Sequence, residues 1–145
     1  MYNILQHAHS GLRWLVLIAL LIAIFNAFAK RRSQAFTKKD KMIGLFALIF
    51  THIQLLTGLV LYFISPLVQF SEGTMKNSVL RFYTVEHISL MLVAIALITI
   101  GYSKSKKATA DRKKFGNILT FYLIGLILIL ISIPWPFREL GAGWF

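Results

Sequence analysis

Four apolar runs, each long enough to cross a bilayer, constrain this chain more than any other feature. They cover residues 12–29, 42–70, 79–102 and 115–133. Hydrocarbon offers no water to satisfy backbone N–H and C=O groups, so about 20 apolar residues cross it as an α-helix whose bonds are internal. The first run is interrupted only by Arg13 and Asn26, and its helix reaches back to about residue 4. The second carries no charge and meets Pro66 near its end, where a helix stops or kinks. The third opens with Arg81-Phe82-Tyr83-Thr84-Val85-Glu86-His87, and the fourth stops at Pro134-Trp135-Pro136. With 57% hydrophobic and only 14% charged residues, the chain reads as an integral membrane protein. The expected fold is all-α, a four-helix up-and-down bundle forming one transmembrane domain over residues 1–145, with spans at about 4–30, 42–65, 79–102 and 115–133.

The basic residues set its orientation. Lys30, Arg31, Arg32, Lys38, Lys39 and Lys41 follow the first run, and Lys104, Lys106, Lys107, Arg112, Lys113 and Lys114 follow the third. The opposite side has only Lys76, Arg81 and Arg138. Short basic connections stay on the cytoplasmic side, so both termini are expected on the non-cytoplasmic side of a bacterial inner (cytoplasmic) membrane. A secretory signal carries its basic residues before the apolar core, whereas Lys30-Arg31-Arg32 follow it, so the first run is read as a retained span. The net charge of +11 is then a topology signal reinforced by anionic headgroups of the lipid bilayer. Nucleic acid is excluded as a partner because the cations flank spans and lack interleaved aromatics. Tyr2, Trp135, Trp144 and Phe145 fit an aromatic belt on the outer face.

Chemistry enters with the histidines, all of which lie in or beside spans. With no cysteine, thiolate metal sites, iron–sulfur clusters and covalent c-type haem are excluded. At about 1.5 Å of rise per residue from the basic boundary, His9 lies roughly 31 Å up, His87 roughly 25 Å and His52 roughly 16 Å. Helices 1 and 3 are diagonal in such a bundle, so His9 and His87 form the best-placed pair. Two imidazoles facing across an apolar bundle suit bis-histidine ligation of a haem iron. Arg13 and Arg81 are the candidate propionate partners. Gly11 and Gly58 permit a flat ring to approach. His52 is either a second ligand with His87 or part of a second site, so one haem b or two are expected, whereas His7 at the interface is read as solvated. Glu86 is a proton or quinone candidate, or an ion-pair partner of Arg81 or Arg13. Gln54 and Thr57, with Thr51, are expected to hydrogen-bond between helices.

The segments His7-Ala8-His9-Ser10-Gly11-Leu12-Arg13-Trp14, Thr51-His52-Ile53-Gln54-Leu55-Leu56-Thr57-Gly58 and Glu86-His87 resemble the small bacterial four-helix membrane proteins of the cytochrome b-like type. Over helices 2 and 3 the chain is more distantly similar to one four-helix half of haem A synthase. The first resemblance implies a b-type haem on His87 with His9 or His52. The second departs from its pattern at helix 4, which has no histidine. The expectation is an electron-transfer protein, more than a stand-alone enzyme, acting with quinol and a redox partner protein or as a homo-oligomer. Two other classes compete with it. One is a Zn- or Cu-binding membrane protein using His7, His9, His87 and Glu86; the other is a structural anchor subunit of a larger membrane complex.

Overall fold

A computed structural model describes residues 1–144, and Phe145 of the expected aromatic belt lies outside the described residues. Among the described residues there is no strand, and four helices are each long and apolar enough to cross a membrane. They are α1 (Tyr2–Lys30), α2 (Lys38–Ile64), α3 (Ser78–Lys107) and α4 (Asp111–Ser132). Each neighbours the next around the bundle, and α1 closes it against α4; α2 and α3 are the least closely packed neighbours.

The helices outrun the apolar runs at the end where the basic connections lie. Thr37 and Asp40 form a reciprocal capping box that starts α2 before its first apolar residue. Asp40 is buried there, accepting also from Asn26 and from Lys30 at 2.8 Å each, so a carboxylate fastens α1 to α2. At the other end, α2 stops at Ile64 before Pro66, and α4 stops at Ser132 before Pro134, as a ring lacking an N–H dictates. Arg138 donates to the Ile131 carbonyl, one of the acceptors that the end of α4 leaves open, and to the Ile133 carbonyl just beyond it.

The core lies toward the basic end, between α1 and α4 with contributions from α2 and α3. Leu20, Ala23, Ala27, Ala94, Ile98, Ile118 and Tyr122 are nearly or fully buried. Small residues allow the closest helix approach. A methyl on Gly101 would collide with Phe121, and one on Gly125 would sit 2.6 Å from Ile98 Cγ1. The Tyr122 hydroxyl, fully buried, donates to the Gly44 carbonyl at 2.6 Å and satisfies the one polar atom the ring brings inside. The outer faces are the reverse of a water-soluble surface: Phe25, Phe28, Leu56 and Phe63 are among the large apolar side chains left exposed.

Candidate functional site

Toward the end bearing the termini, the core gives way to a cavity of about 150 Å³ bounded by α1, α2, α3 and the chain beyond α4. His9 and His87 both line it. Their ring centroids are 6.4 Å apart with the planes 79° from parallel. The depth difference read from the sequence disappears because α3 continues to Lys107. Counted from Lys107, His87 stands about 30 Å along its helix, against about 31 Å for His9 from Lys30.

Hydrogen bonds fix the tautomer of both rings. His87 Nδ1 lies 2.8 Å from the Ser132 carbonyl, which can only accept, so Nδ1 carries the proton and the Nε2 lone pair is free. His9 Nδ1 lies 3.3 Å from Thr57 Oγ1, and that hydroxyl sends its own proton to the carbonyls of Gln54 and Ile53 in its helix. Its oxygen therefore accepts from His9 Nδ1–H, and His9 too presents a bare Nε2. Gln54 Nε2 donates to the His9 carbonyl at 2.8 Å, pinning the backbone that bears the ring. Gln54 and Thr57 thus make the interhelical bonds their positions predict, and both serve His9. Gly58 completes the seat: a Cβ there would stand 3.0 Å from His9 Cε1, so glycine is what admits the imidazole against α2. Gly11 faces open space, with nothing within 4 Å of where a Cβ would stand.

The third helix is shaped locally for this site. Phe82–Glu86 forms a π-helical turn immediately before His87, a wider turn that frays the regular ladder and recurs beside functional residues. Tyr62 donates to the Thr84 carbonyl at 2.8 Å, supplying a side-chain partner within that turn. The buried Thr84 hydroxyl accepts from Gln69 N–H at 3.0 Å, tying the α2–α3 connection down so that Leu67 and Val68 wall the cavity. Tyr83 lines it too, its hydroxyl donating to the Leu140 carbonyl at 3.1 Å.

Arg13 stands one helical turn beyond His9 and also lines the cavity, only 7% exposed. Beyond α4 the chain turns back through Gly141, whose φ of 80° favours glycine, and brings the Trp144 carbonyl 2.6 Å from an Arg13 Nη. The guanidinium carbon sits 5.5 Å from the Trp14 ring centre and 5.6 Å from that of Trp135. The Trp135 and Trp144 ring centres are 5.9 Å apart on this side of the bundle. Arg13 Nε and Gln54 Oε1 are buried with no hydrogen-bond partner among the described residues. A buried guanidinium N–H without an acceptor, on a cavity wall beside two imidazoles, is a place for an anionic oxygen.

The remaining candidates lie elsewhere. Arg81 Nε donates to Glu86 Oε1 at 2.7 Å, both side chains are about two-fifths exposed, and neither lines the cavity. The ion-pair alternative for Glu86 is the arrangement present, and it withdraws Arg81 from a propionate role at this cavity. His52 Nδ1–H donates within its own helix, to the Leu48 carbonyl 2.8 Å away. It lies six residues below Gly58, about 9 Å farther toward the basic end, and is not brought to either of the other rings. His7 is exposed. Among the described residues no three His, Asp or Glu side chains converge as a metal-binding group. Sequence reasoning missed two groups: the Ser132 carbonyl, a backbone acceptor that no side chain advertises, and Tyr83, whose place follows from the π-helical turn.

No family model, curated protein or solved structure matches this chain.

Proposed function

We propose that this is a multi-pass membrane protein of the bacterial inner membrane that binds one b-type haem noncovalently between His9 and His87 and passes electrons. The observation that carries the reading is the pair of imidazoles with centroids 6.4 Å apart, each with Nδ1–H spent on a protein acceptor and Nε2 left bare. Two imidazoles sharing one iron put their centroids about 6 Å apart, since a metal–imidazole bond is roughly 2 Å and each ring adds little more than 1 Å to its centre. A ligating histidine ordinarily donates its other N–H to a carbonyl or comparable acceptor, which orients the ring and raises its basicity.

The haem would supply one-electron chemistry, with a potential that its two imidazole ligands and its burial would set. His9 and His87 would hold the iron. Thr57 and the Ser132 carbonyl keep both rings in the ligating tautomer. Arg13 Nε, now without an acceptor, would neutralise a propionate, and the Trp14–Trp135 pair holds that guanidinium away from solvent. The loosely packed α2–α3 neighbours are where a flat group would enter between helices. His52 is outside this set, so the reading is for a single haem. Electrons come from quinol or a partner protein and leave the same way.

The Zn or Cu reading has less support, because only two of its four candidate ligands converge. An absorption spectrum of detergent-purified protein, oxidised and dithionite-reduced, followed by a pyridine haemochrome assay, tests the proposal. A b-type difference spectrum with one haem per chain is expected. A featureless spectrum from cells supplied with ample haem would overturn it.

A further inference from the structure

A second pocket, about 400 Å³, opens at the basic end between the inner ends of α2, α3 and α4, and its chemistry is opposite to that of the histidine cavity. Four lysines line it: Lys38, Lys41, Lys106 and Lys114. Lys114 is partly engaged, 3.8 Å from Asp111 and 5.6 Å from the centre of the Phe36 ring. Lys38, Lys41 and Lys106 have no anionic partner among the described residues. The nearby Asp40 cannot serve them, since Asn26, Lys30 and Thr37 already occupy both its oxygens.

The second observation is Ser105. It is 3% exposed and lines the same pocket, yet its hydroxyl makes no hydrogen bond among the described residues. A helical serine or threonine commonly returns its proton to the carbonyl four residues back, as Thr99 in this helix does to Ile95 at 2.7 Å. A nearly buried donor left open toward three unpaired ammonium groups, with the Tyr102 ring beside it, makes a concave anion site.

We propose that this pocket binds a phosphate group, held by Lys38, Lys41 and Lys106 with the Ser105 hydroxyl. Two sources present that chemistry to a pocket at the ends of apolar helices: the headgroup of an anionic lipid, and a free phosphate in solution. The proposal is independent of the histidine site.

Native mass spectrometry of the detergent-purified full chain, titrated separately with phosphatidylglycerol, phosphatidylcholine and inorganic phosphate, tests it. Retention of phosphatidylglycerol over phosphatidylcholine, without retention of inorganic phosphate, assigns a lipid headgroup. Retention of inorganic phosphate, or its displacement of phosphatidylglycerol, assigns a soluble phosphate. In either case the Lys41→Ala/Lys106→Ala double variant should bind roughly 30-fold more weakly, at about 1 kcal/mol per lysine near an anionic surface. Lys107→Ala/Lys113→Ala, which removes as much charge outside the pocket, should bind as the parent does. Ser105→Ala, a smaller change, should weaken binding about threefold and serves if the double lysine variant does not fold. Equal loss in the two lysine pairs would show only diffuse attraction and overturn the site, as would the absence of any preference for these anions.

Discussion

Replacing Gly58 with alanine separates the stability of the bundle from the fitness of its histidine site. The new Cβ would stand 3.0 Å from His9 Cε1, 3.6 Å from Nδ1 and 3.8 Å from Nε2, so the ring must retreat by several tenths of an ångström. Its bond to Thr57 is already 3.3 Å long, and a retreat of that size ends it. Overpacking of this kind costs about 1–3 kcal/mol, and a lost hydrogen bond about 1. Taking a total near 2 kcal/mol, haem affinity should fall about 30-fold. Alanine meanwhile favours the helix by roughly 1 kcal/mol over glycine, which offsets part of the overpacking, so the bundle itself should lose no more than about 2 kcal/mol. The assay is a haem titration of apoprotein followed by absorbance, beside thermal unfolding of the same apoprotein in detergent. Unchanged haem affinity would refute the reasoning, because it would mean that His9 does not need the space Gly58 leaves.

Other substitutions test the parts around it. Thr57→Val, which removes the acceptor that fixes the His9 tautomer, should lower haem affinity by about 1 kcal/mol, whereas Ser132→Ala should change it little because His87 bonds chiefly to the main-chain carbonyl. Titration of both variants checks this, and equal losses would contradict it. Exchanging the exposed ion pair by Arg81→Gln and Glu86→Gln together should leave haem content unchanged and cost less than about 1 kcal/mol of stability in a denaturation series. Tyr122→Phe strips the buried hydroxyl from the Gly44 carbonyl and should lower stability by about 1–3 kcal/mol in the same assay, with the haem spectrum unaltered.

The four helices are legible in the sequence because uninterrupted hydrocarbon character admits one backbone solution. Their ends are less so. Residues 38–41 and 103–107 are polar, and hydropathy alone does not reveal that the Thr37–Asp40 box and the run of lysines continue the helices. That error of about one turn is what separated His9 from His87 in depth on paper. The histidine pair itself was readable, since imidazole is costly within an apolar helix and two diagonal helices carry one each near the same end. What sorted His52 and Arg81 away from it was not readable. His52 points to its own helix carbonyl, and Arg81 answers a glutamate five residues on, across a π-helical turn that no propensity scale registers. Nor does composition foretell that the chain after Pro136 doubles back so that a backbone carbonyl and two indoles surround Arg13. Such placements follow from tertiary closure, which local pattern does not encode.

The most direct test of the account compares haem stoichiometry in purified His9→Ala, His87→Ala and His52→Ala variants, using the pyridine haemochrome assay on equal amounts of folded protein. The account predicts that the first two lose bound haem and that His52→Ala keeps the parent ratio of one per chain. Full haem content in His87→Ala, or loss confined to His52→Ala, would contradict it.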